Sequence, residues 1–170
     1  MTKNRSVIIA YIFTTIFVGL ILSYAFMLKR THHRKQEVST FISANFQQKD
    51  LNNLKSIFED STAIYRQIVE ETTKACPDSS IYKFFFKDKQ QQTEGLGHFF
   101  KFIFKSFDIL YVSSVFLSQE DNYITLKATF SCSRKFKLTI LFFKNNGKLK
   151  ISKIYGLNEL STFLCPILKK

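Results

Sequence analysis

Twenty-two consecutive residues, Val7 to Leu28 (VIIAYIFTTIFVGLILSYAFML), carry no charge. A helix needs roughly 20 such residues to cross a bilayer. Tyr11 and Tyr24 lie near the two ends, where amphipathic rings favour the membrane interface. Ser23-Tyr24-Ala25 offers the small-residue spacing of a signal-peptide cleavage site. The apolar run continues past it, however, and ends in the basic cluster KRTHHRK (Lys29–Lys35). That pattern predicts an uncleaved transmembrane anchor and gives membrane lipid as the first partner. The side on which the rest of the chain lies stays open. Four Lys/Arg follow the span and two precede it, which by the positive-inside rule favours a cytoplasmic C-terminal part. The very short N-terminus equally suits a signal anchor that exports it.

The formal net charge is +12, and Lys3, Arg5, Lys29, Arg30, Arg34 and Lys35 supply half of it before the first acid, Glu37. The remainder keeps nineteen basic against thirteen acidic groups. That is a mildly basic domain without a nucleic-acid footprint, so no nucleic-acid partner is expected. The three cysteines, Cys76, Cys132 and Cys165, lie far apart and lack CxxC or Cys/His ligand spacing. No metal site and no cofactor is expected. A Cys76–Cys165 bond requires an oxidising compartment, and Cys132 reads as a small buried hydrophobe.

Beyond a polar linker at 29–37, the chain shows helices first and strands last. Val38, Phe41, Ile42 and Phe46 form one helical stripe; Leu51, Leu54, Ile57 and Phe58 form a second behind Asp50; Ile64, Tyr65, Ile68 and Val69 form a third, ended by Cys76-Pro77. Ile81–Phe86 is ambiguous and Lys87–Gln92 reads as a solvated loop. Leu96, Phe99, Phe100, Ile103 and Phe107 repeat at helical spacing, with Phe102 and Phe104 off the stripe. Such a helix should be clamped between layers. The period then changes to two. Asp108–Leu117 and Tyr123–Cys132 flank a polar turn at Gln119–Asn122, and Lys135–Phe143 and Leu149–Tyr155 complete four strands. This predicts an α+β domain over residues 38–160, an antiparallel meander with helices on one face, and a tail at 161–170.

The last two strands meet at Asn146-Gly147, a strong hairpin signal. A two-residue type I′ loop would pair Phe142 with Ile151, Ile140 with Lys153 and Leu138 with Tyr155. Lys153 would then be the single charge on an apolar face. A three-residue loop with a glycine bulge would shift the register by one and place Lys153 beside Thr139. One slip exchanges every side chain's face.

The stretches FISANFQQKDLNNLKSIFED (Phe41–Asp60), GLGHFFKFIFKSF, DILYVSSVFL, NYITLKATF, FKLTILFF and NGKLKISKIYGL occur in an order that resembles the nuclear-transport-factor-2-like superfamily, in particular its polyketide-cyclase-like and ketosteroid-isomerase-like branches. Asn146-Gly147-Lys148 is similar to a turn common in that family's terminal hairpin. The resemblance covers roughly residues 36–160. It implies a curved antiparallel sheet packed by helices, a cone-like or cystatin-like α+β roll enclosing an apolar cavity. The family includes isomerases, cyclases, hydrolases and non-catalytic assembly modules. Some members are single-pass membrane proteins, among them a scaffold subunit of type IV secretion machines.

Isomerase chemistry in such a cone needs an inward carboxylate and an oxyanion donor. Between Tyr123 and Phe143 there is no Asp or Glu. Asp108 begins a strand, Glu120 and Asp121 sit in a turn, and Glu94 flanks a helix start. No catalytic residues are assigned. Tyr65, His98, Lys153 and Tyr155 are the candidates for a ligand pocket. Tyr65 also reads as a core residue, His98 as a solvent-side histidine, and Lys153 as a stem reaching water. Leu141, Phe143 and Ile154 form a candidate self-association face. The leading expectation is a membrane-anchored, non-enzymatic binding or assembly module that self-associates or joins a protein complex such as a secretion apparatus. A binder of a small apolar ligand, or an isomerase-like enzyme, is the alternative, and it requires a hollow cone.

Overall fold

The computed structural model describes residues 2–46, 54–75, 85–86, 92–115, 124–132 and 136–168. The elements are α1 (Thr2–Phe46), α2 (Leu54–Ile57), α3 (Ser61–Ala75), α4 (Gln92–Ser106), β1 (Asp108–Val115), β2 (Ile124–Cys132), β3 (Phe136–Asn145), β4 (Lys148–Tyr155) and α5 (Leu157–Leu168). The chain is α+β, with one open antiparallel sheet in the order β1-β2-β3-β4. The readings at Asp50-Leu51, residues 81–84, Lys87–Gln91 and Gln119–Asn122 lie outside the described residues.

α1 is one unbroken helix of 45 residues, about 68 Å long at 1.5 Å per residue. The linker expected at 29–37 is helical instead. Gly19 is the last helix-weakening residue before Phe46, and the Lys, Arg, Gln and Glu of the linker are good helix formers. The helix passes through two environments. Residues 11–28 are exposed throughout, and this half is apolar and long enough to cross a membrane. At its other end Val38, Ile42 and Phe46 are buried in the domain core.

Asp60 caps α3, its Oδ1 accepting from the amides of Thr62 (2.9 Å) and Ala63 (3.0 Å). Ile64, Ile68 and Thr72 form its buried stripe. α4 is clamped, as its all-round apolarity requires. Phe100 stands in ring contact with Phe46, Phe58, Phe99 and Phe104, and Phe104 reaches Phe130 on the sheet. Gly95 permits this closeness: a Cβ there would sit 2.5 Å from the Phe86 ring and 2.8 Å from the Phe85 carbonyl oxygen.

The sheet's inner face carries Leu126, Ala128 and Phe130 from β2, Leu138, Ile140 and Phe142 from β3, and Ile151 and Ile154 from β4, all at most 2 % exposed. Burying each large side chain contributes about 1.5–3 kcal/mol. The hairpin loop holds two residues, Asn146 (φ 48°) and Gly147 (φ 77°), the positive pair that a type I′ turn needs. Phe142 pairs with Ile151 as the two-residue loop predicts. The register then slips between Leu141 and Phe142, so that Lys153 opposes Leu141, Ile154 opposes Ile140 and Tyr155 opposes Thr139. Ser152 is the extra residue, a bulge in β4. Neither register expected from the loop alone is the observed one.

The bulge also serves the sheet edge. The Ile151 carbonyl accepts from Glu59 N (2.9 Å) and the Ile154 carbonyl from Gln67 Nε2 (2.6 Å), which caps the free side of β4 against further pairing.

Residues 161–168 of the tail expected at 161–170 are helical instead. Gly156 (φ 90°) turns the chain into α5, where a Cβ would meet the Lys137 carbonyl oxygen at 2.7 Å. Leu157, Leu160 and Leu164 of α5 are buried in the core. Cys165 is disulfide-bonded and Cys132 is not. Cys76 is the one other cysteine in the sequence and lies outside the described residues.

Candidate functional site

The four pocket candidates do not converge. Tyr65 lies on α3, partly buried against the core, its ring edge-on to Phe86 at 5.2 Å. His98 is exposed on α4, with Nε2 3.8 Å from the Glu94 carboxylate one turn earlier, an equally exposed group. Lys153 and Tyr155 lie on the opposite side of the sheet. There the Lys153 ammonium stands 5.3 Å over the Tyr155 ring, an exposed cation–π contact. The bulge at Ser152 removes the problem of an inward lysine by turning Lys153 to solvent.

Leu141 and Phe143 do lie on the outer face and are half-buried. Ile154 does not. It is fully buried beside Ile140, because the extra residue at 152 shifts the alternation of β4 after Ile151. The sequence has no glycine or proline near Ser152 to signal a bulge.

Among the described residues the inner layer is packed with large side chains. Phe46, Phe58, Phe99, Phe100, Phe130 and Phe142 are among its largest fully buried side chains. Two depressions lined by described residues open to solvent. One, of about 210 Å³, lies between α1 and α4 beside Ile42, Phe46 and Lys101. The other, about 470 Å³, lies between α1 and the β3–β4 loop, lined by His33, Gln36, Glu37, Thr40, Phe41, Gly147 and Leu149. An ion pair between Glu37 and Lys144 ties the helix to the hairpin there, and the rings of Phe41 and Phe142 meet at 5.6 Å. Among the described residues no three His, Cys, Asp or Glu side chains are grouped to hold a metal ion.

The outer face is a continuous surface built from cross-strand rows. Strand register aligns Tyr111, Thr129, Thr139 and Tyr155 in one row, and Ser113, Lys127, Leu141 and Lys153 in the next. The two threonine hydroxyls of the first row stand 3.4 Å apart. Tyr111 is 49 % and Tyr155 44 % exposed, and the bulged Leu110 beside them 46 %. Lys127, Lys137 and Lys153 are exposed on the same side. Aromatic rings, two half-buried apolar side chains and lysines thus share one open sheet surface. Such a surface can bind by area and charge. Sequence periodicity foresaw Leu141 and Phe143 but missed Tyr111 and Lys127, whose partnership depends on register across all four strands. No protein-family model, curated protein or solved structure matches this chain.

Proposed function

We propose that this chain is a single-pass, membrane-anchored, non-enzymatic binding module that works as a subunit of a membrane-associated assembly. In this reading α1 is the anchor and the α+β domain is a cone-like scaffold of the nuclear-transport-factor-2-like kind. The open outer sheet face is the contact surface, and that face is the observation that carries the reading. A sheet with one face filled by rings and the other bearing exposed Leu110, Tyr111 and Tyr155 beside lysines is suited to a second layer supplied by a partner. The continuity of α1 from the apolar half into the core supports an uncleaved anchor over a signal peptide. The phenylalanine filling of the inner layer argues against the apolar-ligand or isomerase alternative.

The lysines refine the partner. Self-association through this face would oppose Lys127, Lys137 and Lys153 of one copy to those of another, and like charges in an interface disfavour pairing. An acidic protein surface fits better. The disulfide at Cys165 supports a domain in an oxidising compartment, against the count of basic residues flanking the span.

A photo-crosslinking residue at Leu141 in the membrane-inserted full chain should give a discrete protein adduct, while the same residue at the exposed Lys74 should give none. Equal yields at the two positions would remove the docking face. An adduct at twice the chain mass would identify a homo-oligomer instead. A topology reporter at Lys170 should be active in the oxidising compartment; activity on the reducing side would reverse the assigned orientation.

A further inference from the structure

The direction of α1 relative to the sheet places one end of the domain next to the membrane. Along α1, His33 and Gln36 lie beside Gly147, Glu37 pairs with Lys144, and Phe41 meets Phe142. Further on, Phe46 contacts Phe100 and Phe104. The helix therefore runs from the hairpin tip into the body of the domain, and its apolar half projects past the tip. Five to eight residues separate Leu28 from His33 and Gln36, an axial rise of about 8–12 Å. A headgroup layer is about 5–8 Å deep on each side of the hydrocarbon, and charges act over a further ~8 Å at physiological salt. The tip of the β3–β4 hairpin falls within that range.

The charges there match an anionic surface. Lys29 and Arg30 precede His33, and Arg34 precedes Glu37, by three or four residues, so each lies about one turn nearer the bilayer on the helix side that faces the hairpin. The hairpin adds Lys144, Lys148 and Lys150, with Lys148, Asn146 and Gly147 exposed. Against these six stands one described carboxylate, Glu37, already paired with Lys144.

We propose that the β3–β4 hairpin tip is a second membrane contact, with Lys148 and Lys150 set against anionic phospholipid headgroups on the side of α1 that bears Lys29, Arg30 and Arg34. The proposal rests on α1 being an uncleaved span and on anionic lipid in the leaflet that faces the domain. The contact holds the domain upright on the membrane and presents the outer sheet face sideways.

The chain contains no tryptophan, so Asn145→Trp makes a single fluorescent reporter at the tip and Lys137→Trp one at the opposite end of β3. Each full-length variant is reconstituted into phosphatidylcholine vesicles with or without phosphatidylserine, and quenching by headgroup-spin-labelled lipid is read. The tip reporter should be quenched in phosphatidylserine vesicles and the distal one should not. Lys148→Glu with Lys150→Glu should weaken the contact by at least about fivefold per lysine, and high salt should act in the same direction. In the unmodified chain, acetylation of Lys148 should be slowed severalfold by phosphatidylserine vesicles relative to detergent, with Lys137 unchanged. Equal quenching at both ends, or equal acetylation in both media, overturns the hairpin contact and leaves the anchor standing. Release of the chain from vesicles by alkaline carbonate overturns the anchor and the contact together.

Discussion

The two faces of the four-stranded sheet are made by the same strands, alternating except at the bulges beside Leu110 and Ser152, yet they follow different rules. The inner face is apolar without exception at its centre and is met by the rings of Phe41 from α1, Phe104 from α4 and Phe107 just after α4. The outer face mixes tyrosine, threonine, leucine and lysine and stays open at its aromatic and basic positions. Adjacent residues of β4 belong to the two regimes: Ile154 has no exposed surface, and Tyr155 is 44 % exposed. The inner face holds the core, whereas the outer face exposes Tyr111, Tyr155, Lys127, Lys137 and Lys153 to solvent.

The sharpest attempt to break this contrast exchanges charge across it. Ile154→Lys places an ammonium in the core without a partner and should cost at least ~4 kcal/mol, enough to abolish cooperative unfolding. Tyr155→Lys, one residue on, should leave the urea midpoint of the full chain in micelles nearly unchanged. Next in size, Phe100→Ala removes the ring at the centre of the inner cluster and should cost about 3–5 kcal/mol, read from the same unfolding curve. Equal losses from Phe100→Ala and Phe143→Ala would mean that the outer face is as much a core as the inner one.

A smaller loss tests how tightly the inner layer is closed. Gly95→Ala puts a methyl against the Phe86 ring and the Phe85 carbonyl and should cost about 1–3 kcal/mol. A neutral result would show slack between α4 and its neighbours. The least disturbance to folding should come from Lys127→Glu with Lys153→Glu, within about 0.5 kcal/mol in stability. The same double variant should lose the Leu141 photo-crosslink, which separates the contact role of the outer face from any structural one.

Much of this division was legible in the sequence. Period-two alternation marked the four strands, and Asn146-Gly147 marked the hairpin while leaving its loop at two or three residues. The bulge was not legible. Ser152 carries no conformational signature, and a bulge arises from how the strand edge must meet Glu59 and Gln67, a tertiary demand. That one residue decided the faces of Lys153, Ile154 and Tyr155 and therefore half of the candidate site. The continuity of α1 was hidden for another reason. A basic stretch breaks an apolar stripe without breaking a helix, so hydropathy shows a linker where the backbone keeps its hydrogen bonds. α5 was missed because its apolar residues Leu157, Leu160 and Leu164 span few turns and stand close to Pro166.

α1 also has a torsional consequence. With the lipid-facing half and the buried stripe Val38, Ile42 and Phe46 on one uninterrupted helix, the azimuth of the domain about the membrane normal is set by the number of residues between them. Each residue turns the helix by about 100°. One alanine inserted between Lys29 and Gln36 would swing the outer sheet face through more than a quarter turn relative to the side chains in the bilayer, while seven would restore its bearing. Partner engagement that falls and recovers with this phase, at unchanged stability, would show that the anchor works as a compass needle as well as a tether.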